Sequence, residues 1–198
     1  MINLLDLTKS KLRGKILQYF FTNPEQESYL REIARKFQED PSNLSKEMIR
    51  LEKEDIFVSN YKGKQRYYKL NKSHPLFNEL KSIVFKTIGV KGRLENIVNE
   101  DKGIISAFIY GSYAKNTENS SSDIDLFIII DKEKFRENKF LSYIHQLESQ
   151  LSREINYTYY SLEEWKEKVA NNESFIINII KEPKIILKGQ KIVENVQS

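Results

Sequence analysis

Apolar residues recur at helical spacing in three short segments at the start of the chain. The positions are Leu12, Ile16, Leu17, Phe20 and Phe21, then Leu30, Ile33, Ala34 and Phe37, and then Leu44, Met48 and Leu51. This spacing predicts three helices, each with one buried stripe. Asp40 or Ser42 can cap the third helix, and Pro41 is compatible with its first turn.

A basic hairpin is predicted directly after these helices. Residues 56–70, IFVSNYKGKQRYYKL, form two β-rich runs around a Lys-Gly centre, with no acidic residue between Asn60 and Asn71. Three helices followed by such a hairpin resemble the winged helix-turn-helix plan of bacterial repressors of the arsenic-resistance and multiple-antibiotic-resistance type. The resemblance covers residues 8–71.

This resemblance implies contact with double-stranded DNA. In a helix-turn-helix, early residues of the recognition helix reach base edges while cations hold phosphates. The expected DNA-binding residues are Ser42, Asn43, Ser45, Lys46 and Arg50 on the third helix, and Lys62, Lys64 and Arg66 in the hairpin. The alternative is a solvated basic hairpin, since winged helices also serve in dimerisation or protein docking.

Amino-acid composition limits the kinds of partner and metal site that we expect. The net charge of +4 and pI near 9.0 favour a polyanionic partner only where the charge is clustered, as it is in the hairpin. The absence of cysteine excludes thiolate sites, and two histidines, His74 and His145, make a zinc site improbable. No long apolar run is present, so we expect a cytoplasmic protein without a membrane partner.

Residues 73–102 are predicted to form a helical linker. Leu76, Leu80, Ile83, Val84 and Ile88 give it one apolar face, and Gly89 and Gly92 are expected to break it. The helix either packs two domains together or pairs with its copy in a homodimer.

From Gly103 onward the pattern changes to alternating strands and helices. We predict strands at 104–110, 124–130, 154–160 and 184–187, with helices near 133–151, 161–170 and 173–181. The first two strands are almost wholly apolar, which is expected of central strands covered on both faces.

Two aspartates stand at the head of the second of these strands. Residues two apart in a strand share a face, so Asp123 and Asp125 project together. Such a pair can hold two Mg²⁺ ions about 3.5 to 4 Å apart for displacement at phosphorus. At the end of the preceding strand, Gly111 allows close approach of a phosphate, Ser112 adds a hydroxyl donor, and Lys115 is near enough to neutralise a phosphate oxygen.

The pattern Gly111-Ser112, ten residues, then Asp123-x-Asp125 resembles the minimal bacterial and archaeal members of the DNA polymerase β nucleotidyltransferase superfamily. The resemblance covers residues 103–189. It implies transfer of a nucleoside monophosphate from an NTP, expected to be ATP, to an acceptor hydroxyl. Mg²⁺ would be held by Asp123 and Asp125, and the phosphates by Gly111, Ser112 and Lys115. In relatives the acceptor can be a protein toxin or a small antibiotic.

The chain departs from that family's pattern at two positions. The third acid of the family aligns with Asn156, whose amide can bind Mg²⁺ but cannot act as a general base. Glu154, two residues earlier on the same face, is the alternative third acid, although a surface role is the ordinary interpretation of such a residue. Asn116 replaces a frequent turn glycine, and asparagine tolerates left-handed backbone.

Aromatic residues in the second half have a structural and a functional interpretation. We interpret Trp165 with Val169, and Phe175 with Ile176, Ile179 and Ile180, as core or interface positions rather than base-stacking ones. Tyr157, Tyr159 and Tyr160 could stack on a nucleobase, but aromatic residues also suit strands.

These patterns together predict an α/β nucleotidyltransferase fold, a mixed sheet flanked by helices, preceded by an α+β winged helix-turn-helix domain. The expected ranges are 1–72 for the winged helix, 73–102 for the linker and 103–198 for the transferase domain. Two functions remain open. One is a nucleotidyltransferase with catalytic residues Asp123, Asp125 and Asn156. The other is a transcriptional regulator whose silent transferase domain senses a nucleotide.

Overall fold

The computed structural model, which describes residues 10–119, 122–190 and 192, divides into two units. The first unit is Met1–Val90 and the second is Lys91–Ser198. Each unit contains a buried hydrophobic cluster of its own.

The first unit begins with the three helices that the apolar spacing predicts. They are α1 (Lys11–Thr22), α2 (Leu30–Phe37) and α3 (Pro41–Lys53). A hairpin of β2 (Phe57–Lys62) and β3 (Gln65–Leu70) follows, and the short β1 (Ser28–Tyr29) pairs with β3 to complete an antiparallel sheet. A further helix, α4 (Phe77–Thr87), packs against α1.

Helix α3 begins at an aspartate cap. The Asp40 carboxylate accepts hydrogen bonds from the main-chain N–H groups of Ser42 and Asn43 at 2.9 and 3.0 Å. Asp40 rather than Ser42 is therefore the cap. Leu44 and Met48 are fully buried, so the opposite face of the helix is left to solvent.

A buried ion-pair cluster joins α3 to α1. The Arg13 guanidinium, 6% exposed, donates to Oε1 of Glu47, 5% exposed, at 3.2 Å, and also to the carboxylate of Glu54. On the outer side, Arg50 donates to Oε2 of Glu47 at 3.2 Å. A buried carboxylate left without its partner is costly, so these contacts fix the position of α3.

The second unit is built on a four-stranded mixed sheet. Its strands are β4 (Ile104–Tyr110), β5 (Ile124–Ile130), β6 (Ile155–Ser161) and β7 (Ile185–Lys188), in the order β6-β5-β4-β7. β5 and β6 are parallel and the other pairs antiparallel. The two apolar strands are central, as their composition predicts.

Helices flank this sheet. They are α5 (Val90–Glu100), α6 (Gly111–Lys115), α7 (Glu137–Leu151), α8 (Leu162–Ala170) and α9 (Ser174–Lys181). Trp165 of α8 and Ile176 of α9 pack against Phe108 and Phe127 of the central strands. Trp165 is buried, as predicted.

Residues 73–102 form two helices, α4 in the first unit and α5, which lies almost wholly in the second. Gly89 lies between them, where a break was predicted. Two local expectations were wrong. Gly92 lies inside α5 instead of breaking a helix, because the buried stripe of Val90, Leu94 and Val98 outweighs the cost of about 1 kcal/mol for one helical glycine. The segment after Gly111, expected to be a turn, is the short helix α6.

No helix in the described part of the chain is both long and apolar enough to cross a bilayer.

The Arg13 cluster leads to a stability prediction. Replacing Arg13 with methionine leaves the buried Glu47 without its inner partner, and we expect the free energy of unfolding of the first unit to fall by about 3 kcal/mol. The matched control is Lys15→Met, which removes an exposed pair with Glu39 and should cost at most about 1 kcal/mol. Urea titration, followed by hydrogen exchange of the α1 and α3 amides, measures both. Equal costs for the two variants would contradict the assigned role.

Candidate functional site

Asp123 and Asp125 lie at one end of the mixed sheet, on the same side of β5. Asp125 pairs in register with Tyr110, the last residue of β4, and with Asn156 of β6. Its side chain is partly buried, whereas Asp123, which immediately precedes β5, is exposed. The structure therefore brings the ends of three strands together around two carboxylates.

Gly111 is required by the carboxylate beside it. Its φ is +69°, in the left-handed region that favours glycine, and a Cβ built there would overlap Oδ2 of Asp125. The Asp125 carboxylate therefore lies directly against the main chain at the start of α6. Ser112 follows in α6 and is partly exposed.

Asn116 adopts the backbone conformation that a turn glycine would adopt at this position. It adopts a left-handed conformation, with φ 56° and ψ 33°, at the end of α6, and its N–H bonds back to the Ser112 carbonyl. The next residue, Thr117, also donates to that carbonyl, at 3.0 Å. The expectation that asparagine preserves this turn is thus met.

The two carboxylates repel each other. Burial raises the pKa of the Asp125 carboxyl, and the negative charge of Asp123 raises it further. A bound cation would remove this penalty, and carboxylate oxygens are the ligands that Mg²⁺ prefers. The donor set therefore fits a divalent metal held by Asp123 and Asp125.

Asn156 lies where the third acid was expected. Its Nδ2 atom donates to Oδ2 of Asp123 at 3.3 Å, and the side chain is exposed. Among residues 10–119, 122–190 and 192, no group of three or more His, Cys, Asp or Glu side chains that could hold a metal is present. Asp123, Asp125 and Asn156 are thus the side chains at this end of the sheet that could bind a metal ion.

Glu154, the alternative third acid, is exposed just before β6. Its main-chain carbonyl accepts a hydrogen bond from the N–H of Ile124 at 2.9 Å, which joins the starts of the two parallel strands. The main chain of Glu154, rather than its carboxylate, therefore makes this contact.

Lys115 is placed on α6 but is engaged by a carboxylate. Its Nζ lies 2.8 Å from Oε1 of Glu182, the residue that follows α9, and both side chains are exposed. An exposed pair of this kind is worth at most about 1 kcal/mol, so a phosphate can compete for the lysine.

Arg153 is a residue of the site that sequence reasoning missed. Its guanidinium, 6% exposed, donates to the main-chain carbonyls of Asn119 and Ser122 at 3.0 and 3.1 Å. Ser122 immediately precedes Asp123, so this arginine anchors the chain where it leads into the carboxylate pair. Only the position of Arg153 one residue before Glu154, in the turn ahead of β6, hinted at this role.

In the first unit, the predicted DNA-binding residues fall on two surfaces. Ser42, Asn43, Lys46 and Arg50 are exposed on α3, with Ser45 partly exposed. On the hairpin, Lys62 and Lys64 are exposed, and Arg66 is partly exposed.

Several of these cations already have partners. Lys62 pairs with Glu27, Arg66 with Glu52, and Arg50 with Glu47. Arg66 also donates to the hydroxyl of Ser59 at 2.9 Å. Within the described residues, no ion pair involves Lys46 or Lys64. These two lysines are therefore the cations that are best placed to meet an external anion.

Comparison with known families separates the same two units. Residues 91–187 match the family model described as a nucleotidyltransferase domain, and residues 4–49 match the family model EarA-like. The second unit is thus similar to nucleotidyltransferase domains. Its mixed sheet and flanking helices fit the fold of that family. A search of curated proteins finds no match.

Two solved structures are distantly similar to the chain. A toxin–antitoxin crystal structure with AMP-PNP is 16% identical, with 54% of this chain and 79% of that chain covered and a TM-score of 0.34. A mutant toxin–antitoxin MntA-HpeT structure is 11% identical, with 55% and 84% covered and a TM-score of 0.36.

The contact at Gly111 predicts a position-specific cost. Gly111→Ala introduces left-handed strain of about 1 to 2 kcal/mol and also displaces the Asp125 carboxylate. Gly63→Ala is the control, because Gly63 has φ +62° but nothing within 4 Å of its Cβ position. We expect Gly111→Ala to destabilise its unit more than Gly63→Ala destabilises the other. Trp165 fluorescence measures the stability of the unit that contains Gly111, and hydrogen exchange of the hairpin amides measures that of the unit that contains Gly63. Equal losses of stability in the two variants would show that the Asp125 carboxylate is not held against residue 111.

The raised pKa of Asp125 predicts that its charge opposes folding. A carboxyl with a raised pKa in the folded state lowers stability above that pKa, and the effect vanishes once pH falls below its unfolded pKa. Asp125→Asn should therefore raise the melting temperature at pH 7, with no gain near pH 3. Mg²⁺ should stabilise the wild type but not this variant.

Asp131→Asn, at the other end of β5, is the control with the opposite sign. Lys134 lowers the pKa of Asp131, so removing that charge should reduce stability at pH 7. Scanning calorimetry across pH tests both variants. A wild type that is as stable as Asp125→Asn at pH 7 would contradict the repulsion inferred between the two carboxylates.

Proposed function

We propose that the second unit transfers a nucleoside monophosphate from an NTP, most simply ATP, to an acceptor hydroxyl. The acceptor hydroxyl loses its proton to solvent water, its oxygen forms a bond to the α-phosphorus, the bond from that phosphorus to the bridging oxygen breaks, and pyrophosphate leaves. The observation that carries the proposal is the pair Asp123 and Asp125 on one side of β5, with Asp125 against the main chain at Gly111.

Each residue of the site has a distinct task in this reaction. Asp123 and Asp125 would hold Mg²⁺, which supplies charge stabilisation for the phosphates as the reaction proceeds. The backbone at Gly111 can approach a phosphate closely, and the Ser112 hydroxyl offers a donor. Lys115 would exchange Glu182 for a phosphate oxygen. Asn156 would add an amide oxygen to the metal after releasing Asp123.

A second candidate function is favoured by Asn156 itself. An amide cannot accept the proton of the attacking hydroxyl at neutral pH, and general-base catalysis contributes roughly 10² to 10⁴ in rate. With Asn156 beside Asp123, the domain would bind a nucleotide without turning it over. It would then serve as the sensor of a transcriptional regulator.

Pyrophosphate release separates the two functions. The wild type, Asp123→Ala and Asn156→Asp are incubated with Mg²⁺, each NTP and a panel of hydroxyl acceptors, with Asp131→Asn as the control acid. An enzyme releases pyrophosphate in the wild type and in Asp131→Asn, and loses at least about 10²-fold in Asp123→Ala. Release by Asn156→Asp alone would identify a silenced transferase, and release by none of the proteins would remove the transferase proposal.

We further propose that the first unit is a winged helix-turn-helix domain that binds double-stranded DNA. The order of its elements supports this, with α2 and α3 followed by the basic hairpin β2–β3. The early residues of α3 are exposed, as a recognition helix requires. A homodimer and a protein acceptor are further partners that we propose. NTP and DNA are both cytoplasmic ligands, so we place the protein in that compartment.

DNA binding should depend most on Lys46 and Lys64, which form no ion pair within the described part of the chain. Lys46→Ala with Lys64→Ala should weaken binding and reduce the slope of log affinity against log salt by about 0.9 for each phosphate that is no longer neutralised. Lys86→Ala, an exposed cation on α4, is the control. Arg66 is a poorer target, since its removal also breaks its hydrogen bonds with Glu52 and Ser59. An unchanged salt slope in the double variant would contradict DNA binding through these lysines.

A further inference from the structure

The sequence pattern predicts a core or interface position for Phe175, and the structure excludes the core. Its neighbours on α9, Ile176, Ile179 and Ile180, are buried, but the Phe175 ring is 43% exposed. Four large hydrophobic side chains are exposed in the described residues, and this is the one that belongs to the second unit. An exposed phenyl ring in the unit that resembles a nucleotidyltransferase domain calls for a physical reason.

The ring lies beside the carboxylate end of the sheet. Its centroid is 6.3 Å from that of Tyr110 at an interplanar angle of 78°, and 6.5 Å from that of Phe127. Tyr110 is the residue that pairs with Asp125 across β4 and β5. Phe175 is therefore one aromatic side chain away from the strand position that holds the half-buried carboxylate.

Two hydroxyl groups accompany this contact. Burial raises the pKa of the Tyr110 hydroxyl, and the nearby Thr158 side chain lowers it in part. Thr158 is two residues after Asn156 on β6, so both side chains are on one face, with a separation along the strand of about 7 Å. From the carboxylates inward, the surface thus changes from anionic to hydroxyl-bearing to aromatic.

We propose that Phe175 is the platform on which the base of the NTP stacks, with the Tyr110 and Thr158 hydroxyls facing the ribose. This rests on the proposed transferase function, because the carboxylates and the Gly111 turn then fix where the phosphates lie. The sequence of anionic, hydroxyl-bearing and aromatic surface matches the order of metal-bound phosphates, sugar and base in a nucleotide.

A phenyl platform also determines which nucleobases the site prefers. It has a π face but no hydrogen-bonding group, so it accepts every base and favours the larger purine ring through contact area. Stacking on an aromatic side chain is worth roughly tenfold in affinity or more, by the range found on alanine substitution.

The test compares ATP with inorganic tripolyphosphate, which has the phosphates but no base or sugar. Each is titrated by calorimetry, with Mg²⁺, into the full-length wild type, Phe175→Ala and Phe175→Trp. The control is Leu76→Ala, which removes an exposed apolar side chain from the first unit. We expect Phe175→Ala to bind ATP about tenfold more weakly and tripolyphosphate as before, whereas Phe175→Trp and Leu76→Ala retain ATP affinity.

Each other outcome overturns the inference in a recognisable way. Equal losses for ATP and tripolyphosphate in Phe175→Ala would show a structural role of the ring. Unchanged ATP affinity with reduced transfer to an acceptor would assign the ring to the acceptor. A wild type that binds tripolyphosphate as tightly as ATP would exclude a base platform and leave the transferase proposal standing. A wild type that binds neither would remove both proposals.

Discussion

The repulsion between Asp123 and Asp125 is the constraint on which the second unit depends. Two carboxylates project from the same side of one strand, and the inner one is partly buried against the main chain at Gly111. Such an arrangement costs stability in the absence of a cation, so a chain evolved only for stability would not be expected to contain it. The glycine with positive φ and the buried Arg153 position the main chain around these acids.

Asn156 determines how far that arrangement can act as an enzyme. It occupies the strand position beside Asp125, and its amide contacts Asp123, so it lies next to both carboxylates but adds no charge. In the proposed functions, binding of a metal and a nucleotide would depend on the two carboxylates, whereas proton removal from an acceptor would need a base that this position does not supply. The two proposed functions differ only in whether the proton of the acceptor hydroxyl can be removed.

The apolar runs of β4 and β5 and the aspartates that follow the loop were predictable, because burial on both faces and a two-residue period leave clear marks in sequence. The helical stripes of the first unit were predictable for the same reason. Contacts between distant residues were not: the pairing of Lys115 with Glu182, the cluster around Arg13, and the bonds from Arg153 to the loop before Asp123 have no local signature. The sequence could not distinguish core from interface for Phe175, because its helix is apolar on most sides and only the packing shows which ring is exposed.

The most direct test of the carboxylate site is paramagnetic broadening by Mn²⁺ in NMR spectra of the full-length protein. Substoichiometric Mn²⁺ should selectively broaden the amide signals of Gly111, Asp125 and Asn156, and Asp123→Asn should largely abolish that broadening. Uniform broadening of exposed acids in both units, or selective broadening that persists unchanged in Asp123→Asn, would contradict the assignment of this end of the sheet as a metal and nucleotide site.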